Sequence, residues 1–408
     1  MTDRTSSLTD EPTGGRPRRL LAVSHAMVRG INRAIYRDIA DAGWDVQMIS
    51  AETLQLPGQT IACEAPRQGD PPLHVLPITT NSPRQLKFRG LNKLIDDLTP
   101  DVVHLEIDPI SLLATETGNH ARSLGPSRPM VTCMSCENLS LRLPAIARRE
   151  GLRGVVTGIA KRWLARSARR VVDHVFTISN DGTAVFQDLG FESVSKIPLG
   201  FDPAYFCIRE NDRDEIRQSH NLNVPVVAYF GRFVPEKGID LLIKALGQLR
   251  DQPWVFMLDQ FEGDDEYTQL LKDEIQRQGI SDRIVEIHAA HGEVARYMNA
   301  ADVVVLPSIS TSKWVEQYGR VAPEAMACGR CVIVADTGAL PELVDRYGHT
   351  FPEGDVDALV TRLRDCIANP YAKHDAQTIS DYAQTNLAIS SQTRMQMECW
   401  NRLCGTDR

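Results

Sequence analysis

Residues 301–336 read ADVVVLPSISTSKWVEQYGRVAPEAMACGRCVIVAD. VVVLPS (303–308) and CVIVAD (331–336) are β-branched runs of strand length. Between them a long loop leads into a helix with Pro323 near its first position, where a missing N–H costs nothing. Gly329 stops that helix. Strand, helix, strand in this order is the mark of a βαβ unit in a parallel sheet. A helix start explains Pro323 and Glu324. It does not explain Glu316, an acid outside the helix and eight positions before Glu324.

The same alternation runs outward in both directions. LLAVSHA (20–26), DVQMIS (45–50), DVVHLEI (101–107), PMVTCMS (129–135) and HVFTIS (174–179) are predicted strands, with a helix over 31–42 stopped by Gly43. The Pro- and Gly-punctuated KIPLGFDPAYF (196–206) reads as a hinge. A second series then opens with VVAYFG (226–231), WVFMLD (254–259) and IVEIHA (284–289), with helices over 238–249 and 265–278. The expected fold class is α/β, two doubly wound Rossmann-like domains in series facing a central cleft. Their expected bounds are 18–200 and 201–385, with a tail over 1–17 and a C-terminal helix, about 386–408, returning to the first domain. Ligands of such sheets bind beyond the carboxyl ends of the strands.

Bulk composition agrees with two globular units. The chain has 408 residues, 42% hydrophobic and 24% charged, with a net charge of −8. That length suggests two domains of roughly 150–200 residues. The acidic balance argues against nucleic acid as a partner. No apolar run approaches the roughly 18 residues that span a bilayer, and the N-terminal stretch lacks a secretory apolar region. A cytoplasmic location is therefore expected, with reduced thiols for the nine cysteines. Cys133/Cys136 and Cys328/Cys331 have the two-residue spacing of zinc ligands, but nothing around them resembles a zinc knuckle, and no metal is expected. Neither G-x-G-x-x-G after the first strand nor G-x-x-x-x-G-K-[ST] occurs.

FGRFVPEKGIDLL (230–242) leaves a strand through Gly231 and places Arg232 and Lys237 ahead of a helix. A guanidinium fork and an ammonium beside free helix N–H groups suit a diphosphate, and would neutralise it as a leaving group without a metal. The plainer reading is a solvated loop in which Lys237 pairs with Glu236 or Asp240. Across the other loop, carboxylates accept from paired hydroxyls, so Glu316 and Glu324 could hold a sugar and a ribose.

GRFVPEKG, the paired acids of PSISTSKWVEQYGRVAPEAMACG, DTGALPELV and FPEGD together resemble the GT-B, retaining glycosyltransferases of the family-4 type. The resemblance covers roughly 196–365 and is looser before it. It implies that Arg232 and Lys237 bind the donor diphosphate, with Gly231 at the turn, and that Glu316 holds donor-sugar hydroxyls. Glu324 would hold the ribose, and the backbone at Tyr318, Gly319, Arg320 and Val321 would line the sugar and phosphates. His288, in EIHAA, would edge the base through its main chain. The implied substrates are a nucleoside diphosphate sugar and a glycan or lipid-linked acceptor, with no cofactor.

Three segments depart from the family pattern. SHAMVRGIN has only Gly30 where a Gly-Gly loop is common, Met134 stands where a histidine is common, and LDQFEGDD replaces a G-D-G. Acceptor-side candidates are therefore His25, Arg29, His104, Glu106 and Asn138, each at or beyond a strand's carboxyl end. For each histidine, the alternative is a packed residue. Finally, residues 146–170 place Val155, Val156, Ile159, Trp163 and Leu164 at helical spacing, with Lys161, Arg162, Arg166, Arg169 and Arg170 beside them. This reads as an amphipathic helix with a solvated basic face, or as a peripheral contact with anionic lipid. Two other functions fit the same scaffold: a nucleotide-sugar epimerase or hydrolase, and a catalytically silent nucleotide-sugar-binding partner.

Overall fold

A computed structural model describes residues 16–56, 59–82, 84–261, 263, 265–289 and 292–405. The predicted tail therefore lies almost wholly outside the described residues, as do Glu262 and Asp264 of LDQFEGDD and the last residue of EIHAA.

The first sheet has seven parallel strands. They are β1 (Arg19–Val23), β2 (Asp45–Ala51), β5 (Leu73–Leu76), β6 (Val102–Leu105), β7 (Met130–Ser135), β8 (His174–Thr177) and β9 (Val194–Lys196). Their spatial order is β5-β2-β1-β6-β7-β8-β9. The short antiparallel pair β3 (Thr53–Leu56) and β4 (Gln59–Ala62) stands apart from it. The second sheet is also all parallel. Its strands are β10 (Val226–Ala228), β11 (Val255–Asp259), β12 (Ile284–Ile287), β13 (Val303–Leu306), β14 (Cys331–Ala335) and β15 (His349–Phe351), in the order β12-β11-β10-β13-β14-β15. Strands buried on both faces need continuous apolar runs, which is why VVVL and CVIVA carry no alternation.

Register sets up the cleft. Ala228 on β10 pairs with Val304 on β13, so the loops leaving these two strands emerge side by side. Gly238 starts the helix Ile239–Gly247 at φ 63°, and a Cβ there would lie 2.0 Å from the Pro307 carbonyl oxygen. Only glycine permits that approach, which holds the Lys237 loop against the strand exit at Pro307.

The C-terminal helix Ile389–Gly405 crosses back onto the first sheet. Its Trp400 is fully buried against Trp44, His104 and Phe176, with ring centroids 5.6, 5.3 and 5.9 Å away. Gln392 accepts a hydrogen bond from the Gly200 amide at 2.8 Å, and Phe201 bridges to Ala388. One apolar cluster consequently runs from Leu20 and Met48 through Phe201 and Trp400 to Val226 and Val304.

Residues 146–170 do not form one continuous helix. The helix over Leu143–Ala168 is broken at Gly151 (φ 65°, ψ −162°), and its first segment folds back. A Cβ on Gly158 would meet Ile146 at 2.5 Å and Leu143 at 3.3 Å, contacts that a straight helix could not make. The small residues Gly154 and Gly158 create the seam, and the stripe Leu152, Val156, Ile159 and Trp163 is left outside, 86, 68, 54 and 68% exposed.

Candidate active site

A cavity of about 270 Å³ opens at the carboxyl ends of β10 and β13. Tyr229, Phe230, Gly231 and Lys237 come from one loop, and Ser308 with the segment 316–321 from the other. Cys136, Ile178 and Leu199 close it from the first domain. Its polar centre is an ion pair: Lys237 Nζ lies 2.5 Å from Glu316 Oε2, which also accepts from Ser308 Oγ at 2.9 Å. The Lys237 ammonium sits 5.1 Å from the centroid of the Trp314 ring. Glu316 is 5% exposed, so this carboxylate is held in place by its partners. Gly338 (φ 53°) presses on its backbone, with 2.0 Å between a Cβ there and the Glu316 carbonyl oxygen. The motif glycine in DTGALPELV thus supports the acid of the other motif.

The remaining candidates are placed unevenly. Gly231, Tyr318, Gly319, Arg320 and Val321 line the cavity with Lys237 and Glu316. Arg232 follows Gly231 but is exposed and does not line the cavity, its carbonyl accepting from the Tyr229 hydroxyl at 2.9 Å. Glu324 lies one helical turn behind Arg320, with Oε1 3.6 Å from the guanidinium Nε, and burial pushes its carboxyl up to about 7. His288 is exposed just past β12.

On the acceptor side, Asn138 is 8% exposed and donates to the Glu316 carbonyl oxygen at 3.1 Å, joining the two domains at the cavity wall. His104 is fully buried under Trp400, with Nδ1 2.9 Å from Thr132 Oγ1. Desolvation, with His174 nearby, holds its pKa down at about 3, so it is neutral and packs the C-terminal helix instead of facing the cleft. Glu106 accepts from the Tyr36 hydroxyl at 2.6 Å, and burial raises its pKa.

His25 does not end a strand: β1 stops at Val23, and Ser24 caps a 3-10 turn over His25–Val28. Its buried Nδ1 has no partner among the described residues, and burial lowers its pKa. Arg29 is exposed. In the same loop the Gly30 amide is taken by the Glu64 carboxylate at 2.8 Å, and the fully buried Arg33 donates to the carbonyls of Met27, Glu64 and Ala65. This loop is tied down by its own side chains.

Several participants escaped sequence reasoning. Ser308 and Trp314 contact the ion pair, yet neither stands at a spacing that marks it. Glu342 accepts from the Asn180 amide at 3.0 Å and from Lys196 Nζ at 2.6 Å, a second clamp between the domains. The paired cysteines are not brought together: Cys133 is in the first sheet, while Cys328 and Cys331 belong to the second domain. Cys331 instead converges with His349 and Cys366, their ligand atoms within 4.8 Å.

Residues 212–385 match the family described as "Glycosyl transferases group 1". This part of the chain is similar to the group 1 glycosyl transferases. The GDP-mannose-dependent alpha-(1-6)-phosphatidylinositol monomannoside mannosyltransferase of Mycolicibacterium smegmatis is 31% identical over 56% of this chain and 64% of its own length. The D-inositol 3-phosphate glycosyltransferase of Segniliparus rotundus is 32% identical over 38% of this chain and 34% of its own length. The matches thus span between about a third and two thirds of these curated relatives. Among solved structures, Anabaena HepE with UDP and glucose aligns over 94% of this chain and all of its own, with a TM-score of 0.67 at 21% identity. A glycosyltransferase from Rickettsia africae aligns over 96% of this chain and all of its own, at 0.71 and 16%. The chain has the GT-B fold of such neighbours.

Proposed function

We propose that the chain is a retaining glycosyltransferase that moves a hexose from a nucleoside diphosphate sugar to a glycan or lipid-linked acceptor. The observation that carries this reading is the Lys237–Glu316 pair, turned into one cavity from two adjacent loops at the carboxyl ends of β10 and β13. Lys237 offers positive charge to the departing diphosphate, with the exposed Arg232, next to Gly231 of the lining, adding to it once the donor is seated. Glu316 keeps lone pairs free beyond those used by Lys237 and Ser308, and these accept from donor-sugar hydroxyls. The acceptor proton passes to the leaving phosphate on the same face, which retains anomeric configuration without a protein nucleophile. Residues 201–385 would hold the donor. Residues 18–200, with the returning helix, would hold the acceptor.

GDP-mannose and UDP-glucose are the donors to test first, since a relative is named for one and a structural neighbour was solved with UDP and glucose. Lys237→Ala is expected to lower turnover by about 10²–10³, the scale of losing one oxyanion donor. Because it strands Glu316, Lys237→Ala/Glu316→Gln should restore thermal stability without restoring turnover. Near-normal turnover in folded Lys237→Ala would remove the diphosphate assignment.

The exposed stripe Leu152, Val156, Ile159 and Trp163 supports a peripheral partner, an anionic bilayer surface at the cytoplasmic face of a membrane. Arg153, Arg166, Arg169 and Arg170 stand exposed beside it in a chain of net charge −8. Cosedimentation with phosphatidylglycerol vesicles should exceed that with phosphatidylcholine and fall in Trp163→Glu; equal, negligible binding to both would sink the contact. No helix among the described residues is long and apolar enough to cross a membrane.

A further inference from the structure

A second cavity, of about 350 Å³, adjoins the first. Cys136 lines the first cavity while Glu137 and Asn138 line the second, and Gln317 lines both. The Asn138–Glu316 hydrogen bond stands between them. Trp314, which lies under Lys237, also forms part of the second wall. A volume of this size falls within the roughly 300–1,000 Å³ of small-molecule sites.

Its charge is unusual for an acidic chain. Arg84, Arg149, Lys161 and Lys313 face Glu137 and Glu150. Arg149 is already used: it pairs with Glu150 at 3.0 Å and donates to the Ser140 carbonyl at 3.3 Å. The side chains of Arg84, Lys161 and Lys313 have no hydrogen bond or ion pair among the described residues. They come from three separate segments: the stretch before helix Leu91–Leu98, the outer part of the broken helix, and the loop after β13. Asp108, beyond the end of β6, lies within electrostatic reach of Arg84, Lys161 and Glu137, and its burial takes its carboxyl up to about 6. Asp108 does not line the cavity, and the lining itself sets Arg84, Arg149, Lys161 and Lys313 against Glu137 and Glu150, so its carboxylates do not cancel its cations.

We infer that this second cavity binds the phosphate of a phosphoester acceptor through Arg84, Lys161 and Lys313, and presents an acceptor hydroxyl to the first cavity across the Asn138–Glu316 wall. The inference rests on the glycosyltransferase reading and adds the acceptor's chemical class. Arg84 supplies a fork for two phosphate oxygens, and the two lysines supply point charges from two other segments of the wall. An uncharged polyol would leave all three cations unmatched, so the cavity discriminates by charge.

The test uses the full chain and sn-glycerol 3-phosphate in calorimetry, with glycerol as the uncharged control. UDP or GDP is present to occupy the first cavity, and the titration is repeated in Lys237→Ala. Binding of the phosphoester but not of glycerol, weakened at least tenfold in Arg84→Ala/Lys161→Ala with nucleotide affinity unchanged, supports the site. Binding that survives the double variant, or that disappears in Lys237→Ala, overturns it. If the phosphoester binds as expected while neither nucleotide binds, the anion site stands and the transferase reading fails. If the nucleotides bind and the phosphoester does not, the transferase reading stands and the anion site fails. Phosphatidylglycerol vesicles identify the source. Cosedimentation reduced by the double variant assigns a lipid headgroup, whereas cosedimentation untouched by it, with soluble binding lost, assigns a water-soluble phosphoester. The substituted side chains are exposed or half-buried, and circular dichroism checks that folding is kept.

Discussion

At the scale of single residues, the site is organised by what each polar group already touches. Glu316 has Lys237 and Ser308, so its charge is matched before any ligand arrives. Among the described residues Glu324 has only Arg320, at 3.6 Å, and burial outweighs that attraction, taking its carboxyl from the usual 4.5 up to about 7. A raised folded-state pKa penalises the ionised form. Its contribution to stability is fully present below about 4.5 and is lost as pH rises through about 7. If ribose hydroxyls donate to the ionised carboxylate, nucleoside diphosphate affinity runs the other way and rises with pH. Calorimetry should therefore show affinity falling about tenfold from pH 8 to pH 6, one pKa unit on either side of the midpoint. Glu324→Gln should flatten the profile. A flat profile in the unsubstituted chain would separate Glu324 from the ribose.

At the scale of elements, sequence pattern was a good guide to the parallel strands and a poor one to how their ends are finished. Apolar β-branched runs mark β6, β7, β13 and β14 because strands buried on both faces admit little else. The pair β3 and β4 and the short β9 and β15 carried no such signal, being too short for periodicity to register. Residues 146–170 have helical spacing throughout, yet Gly151 breaks the helix, since periodicity does not report a single left-handed residue. The returning helix depends on Trp400, whose indole is wholly enclosed. Trp400→Ala should cost about 3–5 kcal/mol in urea unfolding, the usual range for a buried aromatic. It would also open space over His104 and Trp44. A loss under about 1 kcal/mol would mean that the helix is held mainly by its hydrogen bonds to Gly200 and Phe201.

At the scale of the whole molecule, polar contacts among the described residues tie the domains across the cleft: Asn138 to the Glu316 carbonyl, and Glu342 to Lys196 and the Asn180 amide. The Lys196–Glu342 pair is partly exposed, so its worth is about 0.2–1 kcal/mol, enough to shift an open–closed balance by up to about fivefold. Glu342→Ala should raise the radius of gyration in small-angle scattering without ligand, and added nucleoside diphosphate should reverse much of the change. An unchanged radius in both conditions would assign the cleft's closure to apolar contacts such as Tyr318 and Leu199.

Local chemistry therefore settled the βαβ alternation, the Lys237 loop and the acid pair flanking a glycine turn, because strand burial, helix starts and charge each leave a signature within about ten residues. What needed tertiary structure was partnership. His104 lies in β6 and Glu106 just beyond its end, yet one is sealed beneath Trp400 from the far end of the chain and the other bonded to Tyr36. Lys237 and Glu316 are 79 positions apart and meet only because β10 and β13 are adjacent in the sheet. Sequence spacing carries no information about which strands become neighbours. Packing decides that, and with it which of the polar side chains at the strand ends face the cleft.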